Sequence, residues 1–374
     1  MALRTYLDHN ATSPLRGEAR EAMIAALDAG GNASSVHREG RAARALVDEA
    51  RETIALALGC LPDMIVFTAS GTEANNLALK GAAGLGARRL VVSAVEHASV
   101  LETAAASGLP ADIVPVVGDG RIDLAALEQA LAGGDRPALV SVMAANNETG
   151  AIMPLAEVAE IARRHGALVH SDAVQAPGKL PLRWAVLDVD LMSVSAHKLG
   201  GPQGAGALVV REGLIPDSLL HGGGQELKRR AGTENVAAIA GFAAALRAAD
   251  EPGRLEALRH RLEVELKAAA PDVTVFAEAG PRLPNTTCFA LPGLEAATAL
   301  MGFDLAGIAV SSGSACSSGK VSRSHVLAAM GVAPELAVGA IRASLGWNST
   351  LADVERFAAA WSEIVAGMRD RAAA

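Results

Sequence analysis

Cysteine is scarce in this chain. Its three cysteines, Cys60, Cys288 and Cys316, lie far apart along 374 residues. The odd number and wide spacing exclude a disulfide framework and a cysteine-based metal site. This usage fits a reducing cytoplasm. Long hydrophobic runs are missing too: none approaches the roughly 20 residues that a membrane-spanning helix needs. The opening Met1-Ala2-Leu3-Arg4-Thr5-Tyr6-Leu7-Asp8 carries an acid early and no apolar stretch, so no signal peptide is expected. Positive charge is in deficit. The net charge of −8 leaves no broad basic footprint, and nucleic acid is not an expected partner. Internal repeats are absent, and the abundant alanine reads as helix-forming bias rather than low complexity.

What is present is ample material for a core. Hydrophobic residues make up 51% of the chain. Its length exceeds what one ordinary core uses, so a large domain plus a smaller one is expected. From about residue 60 to 210, short apolar strands alternate with amphipathic helices. Met64–Thr68, Leu90–Val95, Ile113–Val117, Ala138–Met143, Ala167–Asp172, Leu191–Ser195 and Ala205–Val210 read as strands. Continuous apolar strands joined by helices predict an α/β fold with a mostly parallel sheet covered on both faces. The quick succession of the last two strands permits one antiparallel neighbour. Residues 233–270 read as helical, with a break at Pro252-Gly253 that marks a boundary. Beyond it, strands at Thr286–Leu291 and Ala340–Leu345 mix with helices, and an amphipathic helix starts near residue 350. The expected division is a large cofactor-binding domain over 15–252 and a small α+β domain from 1–14 with 253–374.

The chemistry centres on Ser195-Ala196-His197-Lys198, which leads into Leu199-Gly200-Gly201-Pro202-Gln203-Gly204. Lysine is sparse here, and Lys198 sits at a strand end before a glycine-rich turn, where open α/β sheets bind ligands. Lysine readily forms a Schiff base with an aldehyde cofactor. Asp172, at the end of another apolar strand, reads either as a cap for the following residues or as the partner of a pyridinium nitrogen. Gln175, three residues on, can bond a ring oxygen. Together these residues point to pyridoxal phosphate. Ser70-Gly71-Thr72 opens a helix after a strand, either as an ordinary cap or as a phosphate site. Ser195 and His197 can add donors to the same phosphate. Glu96-His97 follows a strand; His97 is either a cap or a ring that stacks on a flat cofactor and moves protons. Asn146-Asn147-Glu148-Thr149-Gly150 is a polar turn. Arg342, amid apolar residues, needs a partner: a structural salt bridge or a substrate carboxylate. Ser311-Ser312-Gly313-Ser314-Ala315-Cys316-Ser317-Ser318-Gly319 cannot build a core, so it is expected as an exposed, mobile loop. Its cysteine is then either an incidental thiol or a reactive one, whereas Cys60 and Cys288 read as small core residues.

Taken in order, these motifs resemble the cysteine desulfurases of the class V aminotransferase family. The resemblance runs nearly end to end. It includes Tyr6-Leu7-Asp8-His9-Asn10-Ala11-Thr12-Ser13-Pro14, Gly31-Asn32-Ala33-Ser34-Ser35-Val36-His37 and Phe67-Thr68-Ala69-Ser70-Gly71-Thr72-Glu73-Ala74-Asn75-Asn76. It continues through the segments around Asn147, Asp172 and Lys198, through His221-Gly222-Gly223-Gly224-Gln225-Glu226 and Arg230-Ala231-Gly232-Thr233-Glu234-Asn235, to the Cys316 loop. The Ser-Ser-Gly-Ser-Ala-Cys form is similar to the group that supplies sulfur for iron–sulfur clusters, nitrogen-fixation members included.

The resemblance implies a dimeric fold-type I pyridoxal phosphate enzyme with its site at the subunit interface. Lys198 would hold the cofactor, Asp172 would pair with the ring nitrogen, Gln175 would bond the ring oxygen and His97 would stack on the ring. Gly71, Thr72, Ser195 and His197 would hold the phosphate, and Thr233 would reach the phosphate of the neighbouring subunit. Asn147 would contact substrate and cofactor, and Arg342 the substrate carboxylate. L-cysteine would give L-alanine and a persulfide on Cys316, passed to an iron–sulfur scaffold or another acceptor. No metal is expected in the free enzyme, although Cys316 could bind a cluster iron transiently during transfer. His9 stands where asparagine is common and Ala33 where proline is common, which blurs only the subgroup. Two rival readings are a selenocysteine lyase or other class V aminotransferase, and a non-catalytic sulfur-relay protein that only docks scaffold partners. The second predicts a broken site, yet Lys198, Asp172 and His97 are all present.

Overall fold

The computed structural model describes residues 4–134, 137–249, 252–313 and 323–373. Thirteen strands form three sheets among the described residues. They are β1 (Thr5–Tyr6), β2 (Ile65–Thr68), β3 (Arg89–Ser93), β4 (Ala111–Val114), β5 (Ala138–Ser141), β6 (Leu168–Asp172), β7 (Leu191–Ser195), β8 (Gly206–Val210), β9 (Thr274–Val275), β10 (Thr286–Ala290), β11 (Ile308–Ala309), β12 (Ser311–Ser312) and β13 (Ile341–Ser344). Four helices of the N-terminal third are α1 (Gly17–Ala29), α2 (Arg38–Leu58), α3 (Gly71–Lys80) and α4 (Ala98–Ala105).

The central sheet has seven strands in the order β2-β8-β7-β6-β5-β3-β4. The strands from β4 to β7 are parallel, and β8 is antiparallel to both β7 and β2. This is the mixed sheet that the hydrophobic pattern predicts, with its antiparallel member at the expected place. Strands β2, β3, β5, β7 and β8 are buried at every residue. Each fully buried Val or Leu stabilises the fold by about 1.5–3 kcal/mol relative to exposure, so strands of this composition have no stable place on a surface.

A second sheet, β12-β13-β10-β9, is antiparallel. Its core is aromatic: Phe303 stacks on Phe357 at 4.9 Å, and Phe289 meets Trp361 edge to face at 5.3 Å. The N-terminal strand β1 pairs in parallel with β11, and Asp8 bridges to Ser344. The chain's first residues therefore join the sheet built by its last third. The two cores also interlock, because Phe276, Cys288, Val326 and Leu327 pack with residues of the large sheet.

Helical segments run over Val236–Arg247, Pro252–Ala269 and Leu351–Ala373. The first of these ends at Arg247 and the second begins at Pro252, where the expected break falls; Pro252 is the first residue of its helix, and its missing N–H costs no bond there. Cys288 is fully buried, as expected, whereas Cys60 is only partly covered against the core. Burial pushes the Cys60 thiol up to about 11 and that of Cys288 higher still. Neither is a source of thiolate near neutral pH. No helix among the described residues is long and apolar enough to cross a membrane.

A buried polar ladder ties the centre of the sheet together. His170 on β6 bonds Ser141 Oγ on β5 at 2.9 Å and Ser193 Oγ on β7 at 3.0 Å. Burial lowers the imidazole to about 3. A free imidazole titrates near 6.5, so the unfolded chain takes this proton first. Stability is complete above about pH 6.5 and falls by about 1.4 kcal/mol per pH unit below it, until the folded group also titrates. His9, lowered to about 3, and His197, lowered to about 4, act in the same direction. Urea unfolding between pH 7.5 and 5 should show the wild type losing stability with a slope about one proton steeper than His170→Gln. Parallel slopes for the two proteins would contradict this assignment.

Candidate active site

The parallel strands all end at one edge of the central sheet, and the loops beyond those ends build the site. This is where open α/β sheets bind ligands. A cavity of about 290 Å³ lies there. Its wall takes His97 from the end of β3, Asn147 from the loop after β5, Asp172 and Gln175 from the end of β6, and Ser195, His197 and Lys198 from the end of β7. Gly71 and Thr72 at the start of α3, Arg342 on β13 and Asn10 of the N-terminal segment line it too. Ten of the sequence-predicted positions thus share one cavity. Thr233 is exposed and lies outside that cavity in its own chain. Cys316 falls outside the described residues. The last described residue before it, Gly313, follows β12, whose Ser311 registers with Arg342 on β13.

Lys198 sits in a short helical turn after β7. Its Nζ donates to the carbonyls of Asn10 at 2.7 Å and Ala11 at 2.8 Å. Asp172 is buried. One oxygen accepts from the Val174 amide at 3.0 Å and the other from Asn75 Nδ2 at 2.7 Å. The carboxylate therefore caps a turn, as one sequence reading held, but its second oxygen faces a side-chain amide on α3. His97 is the N-cap of α4: Nδ1 accepts from the Ser99 amide at 3.1 Å, which leaves the ring proton on Nε2. The preceding residue, Glu96, is fully buried. Its carboxyl accepts from the Met143 amide at 2.6 Å, and burial raises its pKa well above the usual range. That bond ties the loop after β3 to the loop after β5.

The start of α3 is shaped to receive an anion. Ser70 caps the helix by accepting from Glu73 N, and Glu73 reaches back to Ala69 N. This reciprocal cap leaves the N–H groups of Gly71 and Thr72 as free first-turn donors by position. Gly71 has no room for a side chain: a Cβ there would lie 2.6 Å from Val174 Cγ2. Beside it, Ser195 Oγ is buried with no hydrogen-bond partner among the described residues. His197 bonds Thr12 Oγ1 at 3.1 Å, and burial with the nearby Lys198 lowers its pKa to about 4.

Arg342 carries a structural salt bridge in this chain. It pairs with Asp8 at 2.7 Å and donates to Asn147 O at 2.9 Å. Its Nε stays buried without a partner among the described residues.

Sequence reasoning gave no role to Asn10. Its carbonyl accepts from Lys198 Nζ and from Gln175 Nε2, its Oδ1 from Lys179 Nζ and Asn285 Nδ2, and its Nδ2 donates to Thr286 Oγ1 and Asn147 O. The only local signal was a polar residue between His9 and Ala11, and the partners of its carbonyl and side chain are 137 to 276 positions distant. Asn10→Ala should cost about 3 kcal/mol, because the buried Lys179 Nζ and Asn285 Nδ2 lose their acceptor and Thr286 Oγ1 its donor. Chemical denaturation should show that loss, and an unchanged midpoint would contradict the network.

Comparison with known proteins places these features in a family. Residues 5–357 match the family described as Aminotransferase class-V. An IscS-like cysteine desulfurase of Mycobacterium tuberculosis is 44% identical over 366 residues, covering 94% of this chain and 93% of that relative. A cysteine desulfurase of Cereibacter sphaeroides is 44% identical over 376 residues, covering 98% and 97%. The solved structure of a NifS-like protein from Rickettsia africae superposes with a TM-score of 0.89 at 38% identity, covering 97% of this chain and 99% of that one. The chain belongs to the class V aminotransferase family.

Proposed function

We propose that this protein is a pyridoxal phosphate-dependent cysteine desulfurase that converts L-cysteine to L-alanine and holds the sulfur as a persulfide on Cys316. The observation that carries this reading is the meeting of Lys198, Asp172, His97 and the start of α3 in one cavity. The residues fit the cofactor. An amine, a buried carboxylate, an imidazole and a helix N-terminus lie around a volume suited to one small ring and its phosphate. Ser195 Oγ and Arg342 Nε are buried polar atoms without partners among the described residues, as groups that bind an anion would be. The full-length similarity to proteins named cysteine desulfurases supports the choice of reaction over other class V activities.

In this reading Lys198 would carry the covalent link to the cofactor, Asp172 would hold a proton at its ring nitrogen, and Gln175 would donate to its ring oxygen. Gly71, Thr72, Ser195 and His197 hold the phosphate through backbone and side-chain donors. When bound, the cofactor supplies an electron sink for the substrate's Cα. Asn147 and Arg342 bind and orient the substrate, with Arg342 on its carboxylate. Lys198 Nζ would take the Cα proton of the bound substrate. His97, with its proton on Nε2, would stack on the ring and serve proton transfer. The Cys316 thiolate attacks the substrate sulfur. An S–S bond forms, the substrate's Cβ–S bond breaks, its electron pair goes to Cβ, and protonation there gives alanine. The persulfide then passes to an acceptor, for which an iron–sulfur scaffold is the natural class.

We also propose a homodimer in which Thr233 of one subunit serves the phosphate of the other, since Thr233 stands exposed and outside its own chain's cavity. The division into 15–252 and 1–14 with 253–374 belongs to the same proposal.

The purified protein should show a visible chromophore that borohydride fixes covalently. Lys198→Ala should abolish that fixation and lower alanine formation by roughly 10²–10⁴-fold. Cys316→Ser should keep the chromophore but stop alanine release from L-cysteine. Undiminished alanine production by Cys316→Ser would overturn the nucleophile assignment.

A further inference from the structure

Lys179 lies behind the wall of the site, bonded to Asn10 and Gln175, and has no part in the mechanism above. It follows Gln175 by four residues, in the turn after β6, and is only 5% exposed. Its Nζ donates to Gln175 Oε1 at 2.6 Å and to Asn10 Oδ1 at 2.9 Å. A buried ammonium ordinarily has a carboxylate partner. Among the described residues no Asp or Glu pairs with Lys179, and both acceptors are neutral amides. The charged and titratable groups that face it are Lys198 and His197 after β7, Arg342 on β13 and His9 in the N-terminal segment. Burial first, then Lys198 and Arg342, lowers its pKa well below the ordinary lysine range. Burial and these cations oppose the charge on Lys179, and its two short bonds to amide oxygens favour it.

The geometry around Gln175 gives it a use. A side-chain amide can face two ways, but an ammonium only donates and a carbonyl only accepts. Gln175 lies between Lys179 Nζ and Asn10 O. Both neighbours demand the same orientation, with Oε1 on Lys179 and the NH2 on the other side. The NH2 thus shares Asn10 O with Lys198 Nζ, at the edge of the cavity.

We propose that Lys179 is a positioning residue for the cofactor: it locks Gln175 with its NH2 as the donor to the ring oxygen, and it sets a positive potential beside the Lys198 linkage. This rests on the reading of the cavity as a pyridoxal phosphate site. A nearby cation disfavours a second positive charge, so Lys179 lowers the pH at which the protonated linkage to Lys198 gives up its proton.

The test is a pH titration of the visible absorbance of the cofactor-loaded protein. Lys179→Met and Lys179→Gln should each raise the midpoint by about one pH unit, and Lys179→Arg should stay near the wild type. A merely structural lysine would lower thermal stability and cofactor retention in the neutral variants without moving the midpoint, and that outcome overturns the proposal. A wild type without any borohydride-reducible chromophore would instead overturn the cofactor reading itself. If neither neutral variant folds, a crystal structure of the loaded wild type decides. Lys179 Nζ on Gln175, with the amide's other end on the ring oxygen, supports the proposal; a Gln175 that has left Lys179 overturns it.

Discussion

The site depends on the way Asn10 is held. One residue from the chain's eighth to twelfth positions reaches the central sheet through Lys198, Gln175 and Lys179, and the antiparallel sheet through Thr286, Asn285 and Ser344. Every one of these bonds is buried or partly buried, so each lost partner leaves a polar group that water cannot replace. Their number fixes the position of Lys198 against the opposite wall, where Arg342 stands. The pairing of β1 with β11 carries the same segment into the second sheet. The chain's beginning is thus stitched between two elements made by its middle and its end.

Charge is the second theme. Lys198 and Arg342 line a small cavity whose wall holds one carboxylate, Asp172, and Lys179 lies behind that wall. Asp8 answers Arg342 from outside that wall. Such a gathering of cations is costly in a buried place unless an anion completes it. The first-turn donors of Gly71 and Thr72 and Ser195 Oγ, which has no partner among the described residues, point to the same conclusion. The imidazole of His197, kept neutral by burial and its cationic neighbour, can remain among these groups without adding to the repulsion.

Much of this was legible in the residues. Apolar runs such as Leu191–Ser195 and Leu208-Val209-Val210 had to be buried strands, because nothing else covers such side chains. Lys198 and Asp172 were found because a polar residue at the end of such a strand has few structural reasons to be there. Arg342 was recognised as needing a partner, and the salt bridge to Asp8 is one of the two partners foreseen. The role of Asn10 was not legible, since asparagine in a polar N-terminal segment has many ordinary uses. Lys179 looked like any lysine in a turn after Pro177-Gly178; only its burial between two amides distinguishes it.

The sequence by itself determined the period of the strands, the positions of the turns and the kinds of chemistry available, because these follow from side chains and their near neighbours. The tertiary structure alone decided which polar groups meet. Hydrogen bonds such as that between Asn10 and Thr286 join residues 276 positions apart. Only the stacking of parallel strands with their ends at one edge, and the return of the last sheet to the first strand, brings such groups within bonding distance.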